Sequence, residues 1–285
     1  MAMDFIAVGG DARFAWMAEL ARREGLRTAA LGLEEAQVGG LTQAGWGDLA
    51  RARLLVMPNP FGGKGLPMPL AQRPYSIEEV LEGAEPGVPL ALFGPGQVPL
   101  EVAARHRIWD LSGEEGLALD LARQTAEGAI HAACTRMEEE LYGCPALIVG
   151  YGRIGRALHR MLEGYGARVT VAARRPQVRE QARAVGARAV DMEDMEALLP
   201  LQRLIFSTPP QRVLDARRVG LIHKEALVID LSSPPYGVDL AACHAQWINA
   251  WREPGLPGRY CPRSAGRAML DALARLMRGG NDYAG

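Results

Sequence analysis

Three glycines, Gly150, Gly152 and Gly155, stand in the run Gly150-Tyr151-Gly152-Arg153-Ile154-Gly155, a GxGxxG spacing that directly follows the apolar stretch Ala146 to Val149. This context predicts a strand that turns sharply into a helix carrying Ile154, Leu158, Met161 and Leu162 on its buried face. The chemistry such a turn performs is anion binding. Gly150 permits the tight turn, Gly152 lets a pyrophosphate approach the backbone, and Gly155 lets the helix pack closely on the strand. Arg153 and Ile154 sit in the first helical turn, whose unpaired N–H groups face the phosphates. A bare strand-to-helix turn without ligand is the plain alternative. The end of the next strand decides the cofactor: an acid there would bind the ribose hydroxyls of NAD, and this chain has Ala173, Arg174 and Arg175 instead. Two guanidinium groups suit a 2′-phosphate, so NADP is expected, with NAD as the alternative. Two further strand ends, Ser207-Thr208-Pro209 and Ser232-Ser233-Pro234, fall at the carboxyl edge of the same sheet, where small hydroxyl residues would leave room for the nicotinamide ribose.

A second set of residues could hold or transform a small anionic substrate. Arg13 follows the first strand in Gly9-Gly10-Asp11-Ala12-Arg13, and Asp11 could fix it by an ion pair. Arg259, Arg263 and Ser264 flank Pro262 at the start of the last helix, and with Gly266 they could form an anion nest. Glu127 is the candidate general base. It lies in Thr125-Ala126-Glu127-Gly128-Ala129-Ile130, where burial would raise its pKa, and Thr125 could orient the substrate or the carboxamide. His131 reads as a packed or solvated histidine.

The elements that must position these groups alternate apolar runs with amphipathic segments, which predicts an α/β protein of two doubly wound, Rossmann-like domains joined by long helices. The first domain spans residues 1–113, with strands at Phe5 to Val8, Thr28 to Leu31, Leu54 to Met57, Leu90 to Phe93 and Arg107 to Leu111. Its helices include Arg13 to Arg23 and Ser76 to Leu81, the latter with Ser76 and Glu79 as a capping box. A connecting helix covers 114–143. The dinucleotide domain spans 144–252, with strands at Ala146 to Val149, Val169 to Ala172, Leu204 to Ser207, Val228 to Leu231 and Gln246 to Asn249. A Pro/Gly-rich loop, Glu253 to Pro262, leads to a last helix (262–285) expected to pack back on the first domain.

At 285 residues, 48% hydrophobic, 23% charged and with a net charge of -1, the chain has the profile of an ordinary globular protein and gives no support to nucleic-acid binding. The absence of a long apolar run argues against a membrane span, and the start of the chain reads as a strand, not a signal peptide, so a cytoplasmic location is expected. The 4 cysteines (Cys134, Cys144, Cys243, Cys261) lack CxxC spacing and are read as free thiols, so no metal is expected. Lysine occurs only at Lys64 and Lys224, which leaves few groups for Schiff-base chemistry.

Several segments together resemble the A subunits of dipicolinate synthase, a sporulation enzyme of endospore-forming bacteria. They are AVGGDAR (7–13), TAEGAI (125–130), GYGRIG with AARRP (150–155 and 172–176), DLSSPPYGVDL (230–240) and PGLPGRYCPRSAG (254–266). The resemblance spans nearly the whole chain, and its last segment is the most specific. It implies an NAD(P)-dependent subunit that works with a second, flavoprotein-like B subunit to oxidise dihydrodipicolinate to pyridine-2,6-dicarboxylate, in a homo-oligomeric assembly. The chain departs from the family where Leu121 and Gln124 replace an asparagine and a proline, so a role for that asparagine does not transfer. Arg263 replaces a lysine and keeps its charge. Two other functions remain open: a regulatory or structural module that merely binds a dinucleotide, and another two-domain hydroxy- or amino-acid dehydrogenase, for which a clear His and Asp pair is lacking.

Overall fold

The computed structural model describes residues 2–59, 61, 65–94 and 98–279; Lys64 and the stretch 280–285 lie outside the described residues. The chain divides into two compact units, one made of residues 1–121 with 257–285 and the other of residues 122–256.

In the first unit β1 (Phe5–Val8), α1 (Ala12–Arg23), β2 (Thr28–Leu31), α2 (Trp46–Leu49), β3 (Leu55–Val56), α3 (Ile77–Glu82), β4 (Leu90–Leu92), α4 (Leu100–Arg105) and β5 (Ile108–Asp110) alternate along the chain. The strands form a parallel sheet in the order β2-β1-β3-β4-β5, a doubly wound topology whose order reverses between β1 and β3. Strand β1 is fully buried, as a parallel strand covered on both faces must be. Helix α1 begins at Asp11, whose carboxylate accepts the Arg13 N–H at 3.0 Å, and buries Phe14, Met17, Ala18 and Ala21. Its one buried acid, Glu19, is held by Arg22 and Arg23, each at 2.7 Å, and these ion pairs keep its carboxyl below the usual carboxylate range. Helix α3 has the capping box read from Ser76 and Glu79, with reciprocal bonds of 3.0 and 2.8 Å.

Helix α5 (Glu115–Cys134) leads from this unit into the next and stops nine residues short of the expected 143. It contributes Leu117 to the first core and Ala126, Ala129, Ile130 and Ala133 to the second. The second unit then builds β6 (Pro145–Val149), α6 (Arg153–Gly164), β7 (Arg168–Ala172), α7 (Pro176–Arg183), β8 (Arg188–Val190), β9 (Leu204–Ser207), α8 (Ala216–Val219), β10 (Leu227–Asp230), α9 (Leu240–Ala245) and β11 (Asn249–Arg252). Its six parallel strands run β11-β10-β9-β6-β7-β8, the Rossmann order with its switch point between β6 and β9. The sequence reading missed β8, which is too short and too polar at Arg188 to show as an apolar run. It also placed β11 three residues early, at Gln246 to Asn249, because Trp247 has a positive φ of 58° and belongs to the turn.

The Pro/Gly-rich stretch is not all loop: Leu256–Tyr260 forms α10, and α11 (Pro262–Gly279) follows at once. Helix α11 lies on α1. Ala268, Met269, Leu270, Ala272 and Leu273 share a core with Phe14, Ala15, Met17 and Ala18, and Arg275 forks onto Glu114 at 2.9 Å. Gly266 lets the two helices touch, since a Cβ there would stand 2.7 Å from the Arg13 carbonyl oxygen and 2.8 Å from the Met17 nitrogen.

Candidate functional site

The glycine turn has the geometry that dinucleotide binding requires. Gly150, directly after β6, holds a φ of +90°, and a Cβ on it would lie 2.4 Å from Thr208 Oγ1. Gly155 is a close-packing residue: a Cβ there would be 2.3 Å from the Gly150 carbonyl oxygen. Gly152 caps α6, and a Cβ on it would meet nothing within 4 Å, which is the open approach a pyrophosphate needs. Ile154 packs into the core below the turn, while Arg153 is exposed beside it. Tyr151, between the first two glycines, is buried and shares a 3.2 Å hydrogen bond with His159 Nδ1; burial lifts the tyrosine pKa and lowers the histidine's.

A cavity of about 440 Å³ opens over this turn, a volume in the range of ligand sites. Its walls include Gly150 and Gly152 from the turn, Ala173, Arg174 and Arg175 from the end of β7, and Thr208 and Pro209 from the end of β9. Both Arg174 and Arg175 are exposed, and among the described residues neither guanidinium has an ion-pair partner. Their loop is clamped from below, because Arg179 donates to the carbonyls of Ala173 and Arg174 and to Asp191. The residues present therefore fit a nicotinamide dinucleotide.

The sequence reading missed Met192, Gln211, Arg212 and Arg218, which line the same cavity. Arg212 pairs with Asp239 at 3.1 Å; Arg218 pairs with Glu196 at 3.1 Å and donates to the Val213 carbonyl at 2.9 Å. Glu196 is also held by Arg217, and the two arginines keep its carboxyl below the ordinary value. These residues come from the turn after β8, the loop after β9 and helix α8, so no single local spacing marks them.

Not every hydroxyl faces the ligand space. Ser207 is completely buried, its Oγ without a partner and pressed against Gly237, where a Cβ would come within 2.2 Å of it. Ser232 donates its hydroxyl to Asp230 at 2.6 Å and accepts the Gly237 N–H at 2.7 Å, so it closes its own loop. Thr208 donates to the Val149 carbonyl at 3.0 Å and reaches the cavity only by its flank. Ser207 Oγ is thus closed to a ligand, and the Ser232 hydroxyl is engaged within its own loop.

In the first unit Asp11 and Arg13 form the expected ion pair, at 2.8 Å, and Arg13 lines a cavity of about 190 Å³ with Asn59, Phe93, Ser112 and Leu121 at the carboxyl edge of that sheet. Gly258 rests against the same acid, since a Cβ there would lie 2.6 Å from Asp11 Oδ2. Arg259 and Arg263 lie near the rings of Tyr260 (5.6 Å) and Trp16 (5.4 Å). Helix α11 starts at Pro262, and the Ala265 N–H already bonds the Cys261 carbonyl at 3.0 Å. Gly266 is thus inside the helix and contributes to packing, not to an anion nest; only the N–H groups of Arg263 and Ser264 remain in the open first turn.

Glu127 is exposed on α5, whereas its neighbours Gln124, Ala126 and Gly128 are buried. The burial expected of it is therefore missing, and its carboxylate is reachable from solvent. Thr125 is half-buried and His131 exposed. Among the described residues no cluster of His, Cys, Asp and Glu could hold a metal ion, and no helix is long and apolar enough to cross a membrane.

Residues 117–232, which contain the glycine turn and both arginines, match the model of the D-isomer specific 2-hydroxyacid dehydrogenase NAD binding domain. A curated relative, the A subunit of dipicolinate synthase from Bacillus subtilis (strain 168), is 25% identical over 174 residues, 61% of this chain. The chain resembles the dipicolinate synthase A subunits. That alignment covers 59% of the relative's own length. The crystal structure of the dipicolinate synthase A subunit from Bacillus halodurans superposes with a TM-score of 0.84 at 22% identity, over 96% of this chain and 97% of that one. The corresponding dipicolinate synthase structure from Bacillus subtilis gives 0.82 at 20% identity over 98% and 96%. Fold and sequence together make the second unit a nicotinamide dinucleotide-binding domain of the dehydrogenase type.

Proposed function

We propose that this chain is the NADP-using A subunit of a dipicolinate synthase, oxidising dihydrodipicolinate to pyridine-2,6-dicarboxylate in partnership with a flavoprotein-like B subunit. The observation that carries the cofactor choice is the cavity in which the glycine turn meets two unpaired guanidinium groups. Bidentate arginines favour the 2′-phosphate and leave no acid to repel it. The likeness to the dipicolinate synthase A subunit of Bacillus subtilis supplies the substrate class.

When bound, the nicotinamide ring supplies the acceptor for a hydride. The chain's own residues bind, orient and take the proton. The turn from Gly150 to Gly155 receives the pyrophosphate, and Arg174 and Arg175 receive the 2′-phosphate. Arg13, fixed by Asp11, takes a substrate carboxylate, with Arg259, Arg263 and Ser264 as further anion contacts. Aromatisation of the ring releases one hydride and one proton; Glu127 takes the proton and Thr125 orients the ring.

A second reading, oxidation of a 2-hydroxy acid, is favoured by the family model matched over residues 117–232. The deciding experiment supplies the chain, with and without its flavoprotein-like partner, with freshly made dihydrodipicolinate or with D-lactate, and NADP or NAD. Ultraviolet absorption of the aromatic dicarboxylate, formed faster with NADP, is the expected result. Oxidation of D-lactate without aromatic product would establish the second reading instead.

A further inference from the structure

At the ends of β10 and β11 the paired residues Asp230 and Arg252 sit side by side in register. Asp230 is buried, and its carboxylate is already saturated. One oxygen accepts the Ser232 N–H at 3.1 Å and hydroxyl at 2.6 Å, and the other accepts the N–H groups of Gly237 at 3.2 Å and Val238 at 3.1 Å. Arg252 approaches only to 3.7 Å, beyond hydrogen-bond distance. Its guanidinium lies over the Tyr236 ring, 3.7 Å from the centroid, and its buried Nε has no hydrogen-bond partner.

A buried donor left unmade costs about 1–3 kcal/mol, and such groups are rare enough to need an explanation. Here the charge is compensated by Asp230 and the guanidinium rests on Tyr236, while among the described residues no hydrogen bond engages its terminal nitrogens. That combination is what a preorganised carboxylate receptor requires: a planar fork, held rigid and offered at the carboxyl edge of an open α/β sheet, where ligands bind. The side chain is 35% exposed while its Nε is buried, so a ligand would meet the terminal nitrogens of the fork. On the β10–β11 side of the switch point, it stands away from the arginine pair that follows β7.

We infer that Arg252 binds a carboxylate group of the substrate, with Asp230 and Tyr236 as its positioning residues. The inference rests on the proposed oxidation of a small dicarboxylate, and its test separates the two. Pyridine-2,6-dicarboxylate, pyridine-2-carboxylate and D-lactate are titrated by calorimetry into the full chain, Arg252→Gln and Arg252→Lys, each saturated with NADPH, whose own affinity is measured by fluorescence. Arg252→Gln is expected to weaken pyridine-2,6-dicarboxylate by about 10- to 100-fold, Arg252→Lys by less, with NADPH affinity unchanged in both. Equal binding of the dicarboxylate by all three proteins would overturn the role of Arg252 and leave the proposed function standing. Binding of D-lactate alone, lost in Arg252→Gln, would keep the receptor and overturn the proposed function. A parallel loss of NADPH affinity, or no carboxylate binding by the unsubstituted chain, would make Arg252 a structural residue.

Discussion

Glu127 and Arg174 show how differently single residues can be read from a chain. The arginine pair was legible because it stands at a fixed distance from the glycine turn, at the end of the very next strand, where the backbone alone decides what it faces. Glu127 was legible as an acid on a helix but its exposure was not, because a helix turns by about 100° per residue and one position separates the buried Ala126 from the exposed face. Its part is testable by substitution. Glu127→Gln is expected to reduce turnover of dihydrodipicolinate by about 10²-fold or more, the range of general acid–base catalysis, with NADP affinity retained. Steady-state rates with intact cofactor binding would show this, and unchanged turnover would remove Glu127 from the mechanism. Ser207 and Ser232 show a related limit: sequence places a hydroxyl at a strand end without saying whether it is open to a ligand or, like that of Ser232, bonded to Asp230.

Among the elements, apolar runs closed by a turn were read well even when short, and short elements without such a run were not. β1, β2 and β9 carry the expected boundaries because each is an apolar run closed by a turn. β8 and α10 escaped because three- and five-residue elements contain too little pattern to read. The last helix was expected to pack back on the first domain, but α1 as the helix it meets was not visible, since the periodicity of a helix names its apolar face and not the partner. Gly266 marks that contact, with backbone atoms among its nearest neighbours, so a rotamer change alone cannot make room there. Gly266→Ala is therefore expected to destabilise the first unit by about 1–3 kcal/mol through overpacking. Urea unfolding followed by tryptophan fluorescence, with Trp16 beside the contact, should show an earlier transition, and an unmoved midpoint would mean that the helices are less tightly apposed than described.

At the scale of the whole molecule, the chain starts in one doubly wound sheet, leaves through α5, completes a Rossmann sheet and returns in α10 and α11 to the unit where it began. Alternation of apolar runs made the two sheets readable in advance. The cavity over the glycine turn was only half readable, because Arg212 reaches it from the loop after β9 and Arg218 from helix α8, neither at a spacing that a motif marks. What unites its readable half is charge. A direct measurement is the titration of the full chain and of the double variant Arg174→Ala, Arg175→Ala with NADPH and NADH, followed by nicotinamide fluorescence. The unsubstituted chain is predicted to hold NADPH at least about tenfold more tightly than NADH, and the double variant to lose about 10- to 100-fold for NADPH with little change for NADH. An equal loss for both coenzymes, or no preference in the unsubstituted chain, would contradict a 2′-phosphate site at these arginines.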